Sequence, residues 1–306
     1  MDVTHLRTLR ELRDRGSVAA VARALQVSAS AVSQQLATLQ AHVPVPLTVR
    51  RGRVLVLTPA GEALAAAGTR VDEALTAARD AVGAYLDADD RPVRVSGFHS
   101  AALTLFGPLL RETAGLPPLH LADADVAHRD FPGLTADHDL VIAHRLAHDE
   151  PWPRDRVTAV ALLSEPLDIA LPADHPLATR AGLHAEDLVE QSWVSVHEGF
   201  PLAGVLDHVA AHVGRPLRIA HRVNEFSVTA EVVRAGAAIA VLPRTTAGML
   251  AVDGMVLRPL VDLPLMRHVD VLARPDALAY AAVRRVLRVL QTVSARAAHT
   301  IHEGAG

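Results

Sequence analysis

Between Ser17 and Gln40 the chain reads SVAAVARALQVSASAVSQQLATLQ, and this stretch constrains the fold more than any other. Val18, Val21, Ala22 and Leu25 fall at i, i+3, i+4 and i+7, one apolar stripe of a short helix that Ser17 can cap. After Gln26-Val27, Ser28 supplies a second cap, and Val32, Leu36 and Leu39 form a second stripe. The opposite face of that second helix carries Ser30, Ser33, Gln34 and Thr38 and no charge. Serine and glutamine can hydrogen-bond base edges in a major groove that admits a helix, so the pattern predicts a helix-turn-helix that binds DNA. Two short amphipathic helices in an alanine-rich chain are the plainer reading, and the flanks decide against it.

Leu6, Leu9 and Leu12 predict a supporting helix before the motif, and residues 47–58 read as two short strands around Arg51-Gly52-Arg53. Residues 1–60 hold eight arginines against Asp2, Glu11 and Asp14, a balance of +5 in a chain of net −4, which leaves −9 on the rest. A basic head on an acidic body is the asymmetry expected when one end meets phosphate. All thirty basic residues are arginine, which we read as compositional bias and not as function. With no cysteine, disulfides and thiolate metal sites are excluded. No signal-like leader and no apolar run approaching membrane-spanning length is found, so a soluble, cytoplasmic protein with no membrane partner is expected.

Thr58-Pro59 predicts the start of a long helix, threonine as cap and proline at the first helical position. Leu64, Gly68, Val71, Leu75, Ala78, Val82 and Tyr85 alternate steps of four and three, a heptad-like seam. It predicts a dimerisation helix; packing on its own domain is the alternative. Asp87 to Pro92 is a polar break, after which strands alternate with helices. Strands are predicted at 93–97, 119–122, 140–143, 157–163, 167–171, 193–196 and 239–242, and helices at 100–113, 205–213 and 228–235. This alternation argues for parallel sheets covered by helices, in two subdomains with a cleft between them.

Taken together, these residues resemble a LysR-type transcriptional regulator over nearly the whole chain. The likeness rests on Gly16-Ser17, Ala31 to Leu36, Leu39, Leu47, Arg50 and Leu57 to Gly61, and far downstream on Val232 to Pro243. The chain departs from the family pattern at Gln40, Pro44 and Thr48, where glutamate, glycine and phenylalanine are usual. The resemblance implies an N-terminal all-α winged helix-turn-helix over residues 1–58, a linker helix over 59–88, and an α/β effector domain over 91–306. That domain would consist of two subdomains resembling periplasmic binding proteins, one formed by 91–163 and 266–300 and the other by 164–265. The chain would cross between them near Ser164-Glu165 and near Leu263-Pro264. Implied partners are double-stranded DNA, an unidentified small-molecule effector, further copies of the chain in a homodimer or homotetramer, and RNA polymerase. No cofactor or metal is implied.

Candidate roles follow by position. Ser30, Ala31, Ser33 and Gln34 are expected at bases, and Ser28, Arg50, Arg51 and Arg53 at phosphates. Leu64, Val71, Leu75, Ala78 and Val82 are expected in the dimer seam. In α/β sheets ligands settle beyond strand ends and at helix N-termini, which selects Phe98, His99, Ser100, His144, His197, Phe226 and Ser227 for the effector. For each lone histidine a satisfied or surface residue is the plainer reading. Two other functions are open: a solute-binding module or enzyme built on the α/β half, and a ligand-independent DNA-organising protein. The first lacks a GxSxG, P-loop or GxGxxG in a fitting strand-helix context, and no catalytic residues are expected. The second leaves two hundred residues of cleft-forming sequence without a role.

Overall fold

The computed structural model describes residues 1–52, 54–83, 91–112, 115–250 and 253–303. It opens with α1 (Val3–Arg15), α2 (Val18–Leu25) and α3 (Ala29–Ala41), followed by the hairpin of β1 (Thr48–Arg51) and β2 (Val54–Leu57). Each helix boundary has a local cause. Asp2, Ser17 and Ser28 cap the three helices by accepting from the backbone N–H groups of Thr4, Ala20 and Ala31. Gly16 ends α1 in the left-handed conformation at φ 71°, and Gln26 ends α2 there at φ 55°. Leu6, Leu9, Leu12, Val21, Val32, Leu36, Leu39 and Leu47 close the head's core.

Gln40 accounts for its own departure from the family pattern. Its Nε2 donates to the carbonyls of Val43 and Val45 at 3.1 and 2.9 Å, while Oε1 accepts from the Leu47 N–H at 2.8 Å. A glutamate could make only the last of these contacts. Glutamine therefore shapes the turn that delivers the chain to the wing.

The long helix α4 (Pro59–Gly83) starts under tight constraint. A Cβ on Gly61 would lie 2.0 Å from the Leu47 carbonyl oxygen, so only glycine allows the helix to cross the strand there. The helix does not stand alone between two domains. Thr69, Asp72 and Thr76 are buried, and α4 lies against both α1 and α10 (Pro275–Leu278).

The body comprises β3 (Val93–Gly97), α5 (His99–Arg111), β4 (Leu119–Asp123), α6 (Phe131–Leu134), β5 (Leu140–Leu146), β6 (Thr158–Pro172), β7 (Ser192–Ser195) and α7 (Gly204–Val213). After these come β8 (Arg218–Arg222), α8 (Phe226–Arg234), β9 (Ile239–Pro243), α9 (Arg244–Leu250), β10 (Met255–Arg258), β11 (Met266–Ala273), α10 and α11 (Ala281–Glu303). The strand order is β4-β3-β5-β11-β6-β9-β7-β8, with β10 also on β6. The expectation of purely parallel sheets is corrected here. β3 pairs in parallel with β4 and β5, and β7 with β8 and β9, but β6, β10 and β11 all pair antiparallel.

The reason is that β6 is one 15-residue strand where two short ones were expected, and it runs through both halves. Its first part pairs with β11 and its second with β9, so strand direction is inherited across the crossing. The two crossings lie side by side: the Leu167 N–H donates to the Leu265 carbonyl at 2.9 Å. One core gathers Phe98, Phe131, β5, β11 and the inner face of α11. The other surrounds Trp193 with Ile169, Leu188, Val205 and Ile239. No helix among the described residues is long and apolar enough to cross a membrane.

Candidate functional site

On the head, Ser28, Ser30, Ser33 and Gln34 are exposed and Ala31 is half-buried. Two of these side chains are locally engaged. Ser28 Oγ caps α3 and lies 2.8 Å from Ser30 Oγ, and Ser33 Oγ donates to the Ala29 carbonyl at 2.9 Å. Gln34 makes no hydrogen bond among the described residues, which leaves its whole amide available. Arg50 and Arg51 are exposed on the wing beside Gly52, whose φ of 62° turns the hairpin, and neither is in an ion pair among the described residues. Arg53 lies outside the described residues.

The basic head needs a correction. Arg7, Arg10, Arg13 and Arg15 are drawn into ion pairs and do not stand free for phosphate. Arg10 Nη1 meets Asp72 at 2.8 Å and Asp276 at 3.4 Å; Arg7 meets Asp72 at 3.1 Å; Arg13 Nε meets Asp14 at 3.0 Å. Arg15 donates to Glu11 at 2.6 Å and to Asp137 at 2.8 Å. From the body, Arg274 donates to Glu11 at 2.8 Å and Asp14 at 2.7 Å. Three of the head's eight arginines, Arg7, Arg10 and Arg15, thus bind the head to α4 and the body, while Arg13 pairs within α1. Glu11 would be raised by burial, yet Arg274 and Arg15 together hold it below the ordinary carboxylate value. Arg274 keeps its proton against burial because Glu11 and Asp14 surround it.

In the seam, Val71, Leu75 and Ala78 form an exposed row, with Val71 37% and Leu75 36% accessible. Leu64 is pulled away from that row and packs on the head's core, because the first turns of α4 still belong to the head. The side chain of Val82 and all of Tyr85 lie outside the described residues.

A cavity of about 250 Å³ opens between the two cores of the body. One wall is Phe98, His99, Ser100, Leu103, Asp125 and His144; the other is Val196, Phe200 to Leu202, Asn224 to Ser227, Thr246 and Leu250. Of the seven candidate residues the structure brings six together. His197 is the exception, exposed beyond β7 with its backbone N–H donating to Asn224 Oδ1 at 2.8 Å. Its neighbours Val196 and Phe200 take the wall in its place.

Beneath the cavity lies a pair that the sequence did not reveal. Arg267 on β11 and Glu165 on β6 are cross-strand partners at the crossing, both buried, 3.2 Å apart. Arg267 also donates to Ser100 Oγ at 3.1 Å and lies over the Phe98 ring at 5.2 Å. Phe98 stacks on His144 with centroids 4.0 Å apart. Burial, reinforced by Arg267 and His128, holds His144 well below its ordinary pKa, so it is neutral at pH 7. Neither of its ring nitrogens has a partner among the described residues. At the rim, His99 reaches Asp123 Oδ2 at 3.5 Å and, across the cleft, Glu225 Oε2 at 3.4 Å. Glu225 caps α8 by accepting from the Ser227 N–H at 3.1 Å. No group of three or more His, Asp or Glu among the described residues is arranged to hold a metal ion.

A polar recognition helix at one end and a ligand-sized cleft at the other, in ionic contact through α1, define a one-component transcription regulator. Comparison with known proteins gives the particular family. Residues 3–62 match the family model described as bacterial regulatory helix-turn-helix protein, lysR family, and residues 87–295 match the LysR substrate binding domain. The chain belongs to the LysR family. The transcriptional dual regulator GltC of Bacillus subtilis is 25% identical over 248 residues, 80% of this chain and 82% of GltC. Full-length OxyR of Pseudomonas aeruginosa superposes with a TM-score of 0.66 at 21% identity, covering 96% of this chain and 94% of OxyR. Full-length LysG of Corynebacterium glutamicum, solved with bound effector arginine, gives 0.61 at 21% identity, covering 97% and 99%.

Proposed function

We propose that α3 and the wing read an operator, that the cleft binds the effector, and that α1 carries the signal between them. Gln34 is the base-reading side chain, with Ser30 and Ser33 beside it, while Arg50 and Arg51 meet phosphate. The chain works as a dimer or tetramer through the row Val71, Leu75 and Ala78 of α4, and acts on RNA polymerase. The effector lies between Phe98-His99-Ser100 and His144 on one side and Phe226-Ser227 on the other. The arginine bound to LysG supports a small-molecule effector here, without naming it.

One observation carries the coupling: Glu11 and Asp14 of α1 are held by Arg274, which follows β11 directly, and β11 also bears Arg267 beneath the cleft. A shift of β11 on ligand binding is therefore felt in the head. Ligand can move that equilibrium only by binding two arrangements with different affinity.

The test is a salt-titrated gel shift on the DNA upstream of the protein's own gene and on random DNA, with and without a low-molecular-mass cell extract. Binding that is specific, salt-dependent and altered by the extract supports the reading. Equal affinity for both DNAs, unaffected by extract, points to a DNA-organising protein instead.

A further inference from the structure

The charge of the cleft is one-sided. Asp125 on one wall and Glu225 on the other both line the cavity. Asp125 makes no ion pair among the described residues, and its carboxyl is raised above the usual value by burial and then by Glu225. Glu225 has His99 Nε2 3.4 Å away but no arginine partner among the described residues. The arginine nearest the cavity floor, Arg267, is committed to Glu165 and Ser100 and is itself buried, 2% exposed. His144 adds no charge. Phe98, Leu103, Phe200, Leu202 and Phe226 give the rest of the lining its apolar and aromatic part, and Ser100, Asn224, Ser227 and Thr246 are polar without charge.

We propose that the effector of this cleft is a small amine with an apolar body, its ammonium held between Asp125 and Glu225 and its hydrocarbon part among the phenylalanines. The proposal rests on the cleft being the effector site and adds the chemical class. Two carboxylates facing each other across a cleft repel, and a cation between them both pairs with each and draws the walls together. Aromatic faces favour an ammonium and leave a carboxylate without a partner. A carboxylate ligand would meet Asp125 and Glu225 with no arginine among the described residues of the lining to offset them. Buried His144 lines the cavity with both ring nitrogens unpartnered among the described residues. A cavity of about 250 Å³ lies just under the usual range of ligand pockets, which limits the ligand to metabolite size.

Three probes of one shape and different charge decide the class: 2-phenylethylamine, 3-phenylpropionate and 2-phenylethanol, titrated into the full-length protein by calorimetry. The expected result is that the amine binds about tenfold or more tightly than either of the others. Asp125→Asn and Glu225→Gln should each weaken the amine by about tenfold and leave the alcohol unchanged. Leu103→Trp, which fills the mouth, should weaken all three. If the propionate binds best, or if none of the three binds, the amine class is overturned while the cleft reading stands. If the probes bind and Leu103→Trp affects none of them, the cleft itself has been misassigned. Far-UV circular dichroism and the urea-unfolding midpoint of each variant confirm that the fold is retained.

Discussion

Replacing Arg274 by methionine tests whether the head is held to the body by charge. Arg274 is 8% exposed and its guanidinium makes two charge-assisted hydrogen bonds, at 2.8 Å to Glu11 and 2.7 Å to Asp14. Removing one member of a buried ion pair leaves the other uncompensated and costs about 3–5 kcal/mol. Here the stranded carboxylates keep partial partners, since Arg15 donates to Glu11 at 2.6 Å and Arg13 to Asp14 at 3.0 Å. The expected loss is therefore about 2–3 kcal/mol, at or just under the low end of that range. Urea unfolding measures it with two signals that separate the parts of the molecule. Both tryptophans, Trp152 and Trp193, lie in the body, and residues 1–58 contain no aromatic side chain. Arg274→Met should lower the midpoint seen by far-UV circular dichroism more than the midpoint seen by tryptophan fluorescence.

The same variant carries a pH signature. Glu11 has a folded pKa below its ordinary value, so its contribution is complete above about pH 4.5 and is lost as pH falls through the depressed value. Without Arg274 that acid limb should shrink. A change under about 0.5 kcal/mol, the size of an ordinary surface substitution, would refute the reasoning.

Three further substitutions address the remaining roles. Gln34→Ala should cost about 1–3 kcal/mol on the operator and far less on random DNA, measured by fluorescence anisotropy on both. Arg51→Ala should weaken both DNAs alike and flatten the salt dependence by about one counterion; an unchanged slope would remove the wing from the phosphate contacts. Val71→Asp places a charge in the exposed row of α4 and should shift the sedimentation profile toward monomer, with loss of tight operator binding; an unaltered profile would put the dimer interface elsewhere.

The head was legible because its signals are local. Ser17 and Ser28 cap helices whose apolar stripes recur at helical spacing, and Thr58-Pro59 opens the next helix. Much of the body was legible for the same reason, but β8, β10 and β11 were not. All five residues of β8 are exposed, so it carries no alternation to detect. The cleft was half legible: strand ends pointed to Phe98, Ser100 and His144, whereas Asp125, Glu225 and Arg267 have nothing unusual in their local sequence. Arg267 and Glu165 meet only because β6 and β11 pair, and Arg274 meets Glu11 across more than 260 positions. Hydrophobic period cannot report such contacts. The surplus charge of residues 1–60 reads in sequence as one phosphate-binding field, and the structure divides it between the exposed Arg50 and Arg51 of the wing and the α1 ion pairs. His197 shows the opposite error, a strand-end histidine whose side chain faces solvent.

With the cleft as the effector site, its occupancy sets the affinity of the head for DNA. Ser100 is a poor place to block it, because its hydroxyl receives Arg267 and a larger residue would disturb the crossing strands. Leu103 lines the same cavity and is 52% exposed, so a tryptophan there fills the mouth without entering the core. The measurement is the ratio of operator affinity with and without a low-molecular-mass cell extract, by anisotropy, in the wild type and in Leu103→Trp. Taking the ratio cancels any change in basal affinity. The ratio should differ from one in the wild type and lie close to one in the variant. An unreduced ratio in Leu103→Trp would contradict this, because the signal would then enter the molecule elsewhere.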